Sequence, residues 1–113
     1  MLPGLTLNPR AVEDIRGILD WMKDQGSLSR GRKLFDAIEN SFEILVDSPY
    51  LGSPLFYPLP EMHSLRRYQV PGFRDHGIFY RPLASGNGVI VLRVLHARQD
   101  DFARLEESLE DLN

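Results

Sequence analysis

Residues 89–100, VIVLRVLHARQD, decide the fold. They follow a short apolar segment, IFYR at 78–81, across a connection that contains an Asn-Gly pair. Asn-Gly is a strong signal for a tight turn between two antiparallel strands. The segment 89–96 is apolar on both faces apart from Arg93, which predicts a central strand that is covered on both sides. We therefore expect a β-hairpin whose second strand lies inside a sheet.

The chain before this hairpin predicts two strands and two amphipathic helices. A strand at 5–7 leads into a helix with Asn8 as N-cap and Pro9 at its first position. A second helix covers about 29–46, and a further strand covers 65–70. Helical spacing gives the first helix the apolar stripe Val12, Ile15, Ile18, Leu19 and Met22, and the second Leu34, Phe35, Ile38, Phe42 and Leu45.

Two further segments complete the predicted organisation. Residues 49–60 hold four prolines and several aromatic side chains, which indicates an ordered loop pinned by Tyr50, Leu55, Phe56, Tyr57 and Leu59. After Asp100 the pattern becomes helical again. The expected fold is α+β: an N-terminal strand, an antiparallel helix hairpin packed on an antiparallel sheet (β-α-α-β-β-β) and a short C-terminal helix.

Length and composition limit the class of protein. A chain of 113 residues predicts one domain, 1–113, in which 101–113 form a helical tail. The absence of cysteine excludes disulfides and a thiol nucleophile, and three scattered histidines do not suggest a metal site. No apolar run is long enough to cross a membrane and no signal peptide is apparent, so we expect a cytoplasmic protein.

Charge is unevenly placed along the chain. The net charge is −3, yet residues 61–100 carry six arginines against three acids, whereas 101–113 carry one arginine against five acids. An acidic chain gives no general argument for binding nucleic acid. The arginine-rich block still allows a local surface that faces carboxylates or phosphates, because guanidinium groups match both.

Several segments resemble one family. NPRA at 8–11, LRRY at 65–68, IFYR at 78–81 and VLRVLHARQD at 91–100 occur in the order and spacing of the ParE/RelE toxin superfamily, and of ParE-like plasmid stabilisation proteins in particular. SP at 48–49 and LG at 51–52 resemble the family's helix exit and loop. Gln99 departs from the usual Arg-Asp pairing at the end of the last strand.

The resemblance implies the toxin of a type II toxin–antitoxin module. Such toxins are neutralised by a flexible antitoxin, here expected to be a ParD-like protein that fills an apolar groove along the helix hairpin and the sheet edge. ParE members act on DNA gyrase, whereas RelE members cut mRNA on the ribosome. Both share one fold, so the fold does not choose between these activities. A third alternative is a non-toxic family member that only binds a partner.

An mRNA endonuclease needs a base, cations for the phosphate and an acid for the leaving oxygen. The candidates are His96 for proton transfer, Arg66 and Arg93 for the phosphate, and Tyr80 as donor. His76 is a second proton-transfer candidate, although its place after Arg74-Asp75 predicts an exposed turn. Structural roles compete with these: Tyr80 as a core residue with a satisfied hydroxyl, and Arg93 paired with Asp100 or with a carbonyl.

The acidic balance favours the gyrase hypothesis, because a protein that enters the ribosome faces dense phosphate. In that hypothesis the chain has no catalysis of its own, no cofactor and no direct contact with nucleic acid or membrane. The residues expected to bind the target or the antitoxin are then Arg66, Arg67, Arg93, Arg98, Phe102 and Leu105. The C-terminal helix, with Leu109 and Leu112 on the same face, either covers the sheet or forms part of a partner surface.

Overall fold

The computed structural model describes residues 2–97, 99 and 101–110. None of the helices in these ranges is long and apolar enough to cross a membrane. Arg98, Asp100 and Leu112 lie outside the described residues. The elements, in chain order, are β1 (Leu5–Leu7), α1 (Pro9–Asp24), α2 (Leu28–Asp47), β2 (Ser53–Pro54), a 3₁₀ turn (Pro60–Met62), β3 (Arg66–Gln69), β4 (His76–Pro82), β5 (Val89–His96) and α3 (Asp101–Glu110).

The five strands form one mixed sheet in the order β1-β5-β4-β3-β2. Strand β1 pairs in parallel with β5, with Leu5 opposite Val89, and the other neighbours are antiparallel. The N-terminal strand therefore lies beside the last strand of the chain. The sheet is not purely antiparallel, and it gains β2 from a segment that was expected to be loop alone.

The two helices α1 and α2 cover one face of the sheet and α3 covers the other. Side chains between the helix hairpin and the sheet form the larger apolar cluster, which includes Leu34, Ile38 and Tyr80. The smaller cluster under α3 includes Leu92 and Leu105. Strand β5 is thus covered on both faces, as its apolar sequence predicted.

Local sequence explains where α1 begins. The Asn8 side chain accepts a hydrogen bond from the backbone N–H of Arg10 at 2.9 Å, and Pro9 occupies the first helical position. The Asn8 backbone N–H donates to the carbonyl oxygen of Val91. Helix α1 therefore starts at the point where β1 leaves its pairing with β5.

Two predictions of burial were wrong in detail. On α2, Leu34 is fully buried while Phe35 is 38% exposed. In the loop at 49–60, Phe56 and Tyr50 are exposed, and only Leu55, Tyr57 and Leu59 pack against the smaller cluster. Local spacing alone does not tell which edge of an apolar stripe faces the sheet.

The connection between β4 and β5 is longer than the Asn-Gly pair suggested. The backbone N–H of Leu83 donates to the carbonyl oxygen of Gly88, so the loop spans six residues. Gly88 has φ of +117°, and a Cβ there would lie 2.0 Å from the carbonyl oxygen of Gly4. Gly88 is therefore required because the N-terminal segment approaches it closely, and not because it forms a two-residue turn.

Candidate functional site

Beyond the end of β1, the open edge of β5 forms a hydrogen bond with the carboxylate of Asp14 on α1. Strand β1 ends at Leu7, opposite Val91, and leaves the next part of β5 without a strand neighbour on that side. There Asp14 accepts the backbone N–H of Val94 at 3.0 Å through Oδ2. A side chain thus replaces the missing strand, which satisfies a donor that would otherwise be buried without a partner.

Arg93 binds the same carboxylate of Asp14, and the two side chains together form what we call the Asp14–Arg93 junction. A β-bulge shifts the β4–β5 register so that Arg93 lies opposite Phe79 and Tyr80 lies opposite Val91. The Arg93 Nε and Nη2 atoms donate to the two oxygens of Asp14, each at 2.7 Å, and Nη1 donates to the carbonyl oxygen of Arg104 at 3.3 Å.

The junction ties α1, β5 and α3 together. The side chains of Arg93 and Asp14 are only 5% and 10% exposed. The expected contact of Arg93 with a backbone carbonyl is confirmed. Its carboxylate partner among the described residues is Asp14, which the sequence did not suggest, while Asp100 lies outside them.

Tyr80 and Arg66 form a second satisfied group on the helix-hairpin face. The Tyr80 hydroxyl accepts the backbone N–H of Gly52 at 2.8 Å, the ring is fully buried, and burial raises the pKa of Tyr80 above its ordinary value of 10.0. Arg66 Nη1 donates to the carbonyl oxygens of Tyr50 and Gly52 at 3.0 and 2.6 Å. The prediction of a core tyrosine with a satisfied hydroxyl is confirmed.

Arg67 lies on the opposite face of β3, as the alternation of side chains along a strand requires. Its guanidinium carbon is 5.8 Å from the centre of the Phe79 ring. Together with His96, Gln99 and Asp101 it lines a small cavity of about 170 Å³ under the start of α3. Arg67 thus lies near the end of β5 on this face.

The two strand-end histidines form a pair. His76 and His96 are register partners, and their ring centres are 5.1 Å apart in an edge-to-face arrangement. His76 is only 7% exposed, so the expectation of an exposed turn was wrong: β4 already begins at this residue. The His76 Nδ1 atom is buried and has no hydrogen-bond partner within the described residues.

The surroundings of His76 disfavour its charged form. Burial is the main cause that lowers the pKa of His76 below its ordinary value of 6.5, and the neighbouring His96 lowers it further. Asp75 acts in the opposite direction, and Arg30 adds a smaller lowering. The ring therefore stays neutral to lower pH than an exposed histidine.

The histidine pair lies at the bottom of a cleft of about 670 Å³ between α1 and the ends of β4 and β5. The described residues that line this cleft are Glu13, Asp14, Gly17, Ile18, Trp21, Met22, Arg30, Asp75, His76, His96 and Gln99. No three His, Asp or Glu side chains of the described ranges are close enough together to bind a metal ion.

An apolar groove of about 480 Å³ lies on the other side of α1. Apolar side chains of β1, α1 and α2 form its walls, and Arg16, Glu39 and Glu43 contribute its polar edges. The apolar lining consists of Leu2, Leu5, Leu7, Val12, Ile15, Leu19, Phe35, Ile38 and Phe42. Since β1 is an edge strand, the groove borders the open edge of the sheet.

The last candidates lie on α3. Leu105 is fully buried in the smaller cluster, and the half-buried Phe102 contacts the Tyr57 ring edge-on with 5.2 Å between ring centres. The described part of α3 therefore covers the sheet, and Leu105 has no exposed surface to offer a partner. Arg98 lies outside the described residues, so its role stays a prediction.

The family follows from a sequence comparison. A family model described as "ParE toxin of type II toxin-antitoxin system, parDE" matches residues 5–101. The chain belongs to the ParE toxin family. It is a ParE/RelE-type toxin of a toxin–antitoxin system, and the family match extends from β1 to the first residue of α3. No curated protein sequence matches this chain.

Solved structures share the ParE/RelE fold. A chain of the chromosomal ParDE system from P. aeruginosa aligns with a TM-score of 0.66 and 16% identity, over 84% of this chain and 96% of the other. A mutant of the E. coli toxin RelE in the free state gives 0.64 and 13%, over the whole of both chains. The isolated E. coli RelE toxin gives 0.53 and 13%, over 96% and 97%. These likenesses concern the fold alone.

Proposed function

We propose that this toxin inhibits DNA gyrase without catalysis of its own and is neutralised by a ParD-like antitoxin. The observation that supports the absence of catalysis is the use of three ribonuclease candidates as structural groups. Arg93 is paired with Asp14, the Tyr80 hydroxyl accepts the Gly52 N–H, and Arg66 holds two loop carbonyls. A general acid or a phosphate-binding cation must instead be free to reach its substrate.

The antitoxin has a matching surface in the apolar groove. Its apolar lining suits an amphipathic helix that presents residues at i, i+3, i+4 and i+7. Glu39 and Glu43 stand one helical turn apart at its edge, so a basic residue on the antitoxin helix would find an acidic partner there. The neighbouring P. aeruginosa structure is itself a ParDE system.

One alternative function, cleavage of mRNA, also has a structural observation in its favour. Arg67 and His96 line the same small cavity together with Asp101, and this combination of cation, imidazole and carboxylate is compatible with cleavage of an mRNA phosphodiester. A non-toxic, binding-only protein would use the groove but would show neither activity.

Pulse-labelling after tightly controlled induction of the toxin separates these functions. Gyrase inhibition predicts that DNA synthesis stops first while translation continues, and that purified gyrase with this protein accumulates cleaved DNA. Early arrest of translation would instead support mRNA cleavage. Continued growth with both pools unchanged would contradict toxicity in that host and leave only the binding function.

Two substitutions on α2, one inside the apolar groove and one outside it, test whether the groove binds the antitoxin. Phe35→Asp places a charge in the groove and is expected to weaken antitoxin binding by at least about 30-fold, as for a central interface residue. Ile44→Asp is the matched control, since Ile44 is similarly exposed (41%, against 38% for Phe35) but does not line the groove. Equal loss in both variants would contradict the groove as the binding site.

A further inference from the structure

Helix α1 separates two depressions of different chemistry. Val12, Ile15, Arg16 and Leu19 face the apolar groove, whereas Glu13, Gly17 and Trp21 face the cleft that holds the histidine pair. With 3.6 residues per turn, these two sets lie on opposite sides of the helix. The cleft is therefore separate from the proposed antitoxin surface, and Gly17, Trp21 and Arg30 in its lining have no part in the functions above.

Gly17 is the first sign that this cleft is kept open. It lies in the middle of α1, where glycine is less stable than alanine, yet a Cβ at this position would meet no atom within 4 Å. Neither close packing nor an unusual backbone angle requires glycine there. The absence of a side chain at Gly17 leaves open space in the cleft.

Trp21 stands one turn after Gly17 and is 63% exposed. Side chains on a helix lean towards its N-terminus, so the Trp21 side chain leans towards the turn that contains Gly17, and both residues line the cleft. An uncovered indole beside open space is a stacking surface for a planar group.

Asp14 is paired with Arg93, but the Nδ1 atom of His76 and three exposed charged side chains at the cleft belong to no ion pair of the described residues. His76 is more than nine-tenths buried, and its Nδ1 has no hydrogen-bond partner within the described residues. Arg30 lies with its guanidinium carbon 4.8 Å from the centre of the Phe73 ring, and no ion pair joins it, Glu13 or Asp75 to another described side chain. Charges of both signs thus surround the cleft without compensating one another directly.

We propose that this cleft binds a small planar aromatic molecule that carries both an acidic and an amino group. The ring stacks on Trp21 beside Gly17, the acidic group faces Arg30, and the amino group faces the carboxylates of Glu13 and Asp75. The cleft volume of about 670 Å³ falls within the range of about 300–1,000 Å³ that is typical of small-molecule sites. This inference does not depend on the target of the toxin.

Trp21 is the only tryptophan of the chain, so its indole N–H gives one assignable signal in a two-dimensional NMR spectrum. The probe is 2-aminobenzoate, with benzoate and aniline as single-group probes and cyclohexanecarboxylate as the non-planar control. We expect 2-aminobenzoate to shift the Trp21 and His76 signals saturably, with an affinity on the order of 1 mM for so few atoms. Benzoate and aniline should bind about tenfold more weakly, since each loses one charged contact.

Variants at position 17 decide whether the cleft is the site. Gly17→Ala should raise the melting temperature and keep probe binding, whereas Gly17→Leu should fill the space beside Trp21 and abolish it. Asp20→Leu adds the same side chain at an exposed position of α1 outside the cleft and should bind the probe normally. Trp21→Ala, followed through the His76 signal, gives a second test if Gly17→Leu does not fold.

Three results would overturn the proposal. The first is the absence of any saturable shift with 2-aminobenzoate. The second is binding by Gly17→Leu that equals that of the native chain. The third is equal binding of cyclohexanecarboxylate, which cannot stack. In each case Gly17 would be only a helix position that tolerates glycine.

Discussion

Two polar pairs involve the β4–β5 hairpin, and one member of each pair, Arg93 in the first and His76 in the second, is buried. The buried members are hydrogen-bonded to different degrees. Asp14 and Arg93 bond each other twice, and they also bond the Val94 N–H and the Arg104 carbonyl oxygen. Three residues along the same strand, His96 contacts His76, whose Nδ1 has no partner among the described residues.

The difference indicates which of the two pairs is structural. A buried pair with complete hydrogen bonding holds elements together, and it is not free to bind anything else. A buried donor or acceptor without a partner costs free energy, which a ligand or a solvent molecule could recover. We therefore place the structural role at Asp14–Arg93 and look for binding at the histidine end.

Removal of one member of the satisfied pair has the largest expected effect. Asp14→Ala leaves a buried guanidinium and the Val94 N–H without their acceptor, and we expect the free energy of unfolding to fall by about 3–5 kcal/mol. Urea denaturation measures this loss. Asp20→Ala, at an exposed position of the same helix, is the control and should change stability by less than about 0.5 kcal/mol.

A double replacement sharpens that prediction. Asp14→Leu combined with Arg93→Leu removes both charges, so no ion is left buried alone, and it should cost less than Asp14→Leu by itself. If the double variant were less stable than Asp14→Leu, the Arg93 side chain would stabilise the fold through contacts other than its pairing with Asp14.

Tyr80 gives the next effect. Tyr80→Phe leaves the Gly52 N–H without its acceptor, and the free energy of unfolding should fall by about 1–2 kcal/mol in a thermal or urea titration. The toxicity of the induced protein should stay unchanged, because the hydroxyl has a structural role in the proposed function. Loss of toxicity in a variant that folds normally would instead return Tyr80 to the role of a catalytic donor.

Burial of His76 should appear as a dependence of stability on pH, the smallest of these effects. Because burial lowers the pKa of His76, the unfolded chain takes up a proton first as the pH falls below 6.5. This contribution to stability is complete above pH 6.5 and is lost on acidification until the folded histidine also protonates. His96, Asp75 and Arg30 are the charged or titratable groups that act on it.

Urea midpoints between pH 8 and pH 5 measure this effect. His76→Leu should lose less stability on acidification than the native chain. Identical profiles for the native chain and His76→Leu would show that burial of His76 has no titration consequence.

Local sequence was sufficient for most of the fold. Asn8 and Pro9 predicted the start of α1, and the continuous apolar run at 89–96 predicted a strand covered on both faces. These predictions succeed because caps and strand patterns depend on neighbours within a few residues. The family resemblance, carried by short segments in order, was confirmed by the match over residues 5–101.

Local sequence patterns could not predict contacts between residues that are far apart in the chain. The partner of Arg93 is 79 residues away at Asp14, on the helix that passes the open edge of β5. Gly88 is required by the approach of Gly4, and His76 is buried because β4 begins earlier than its flanking charged residues suggested. Alternate residues of a strand share a face, so His76 lies on the same face of β4 as Ile78. Extending the predicted strand back to residue 76 was the one signal that could have shown that His76 is buried.

The sequence by itself therefore determined the three helices and the main strands, through periodicity and caps, and it determined the family through the resemblance of short segments. Only the tertiary structure decided which polar groups have partners and where open space remains. Those properties arise when residues that are far apart in the chain meet at one sheet edge, and no local pattern encodes that meeting.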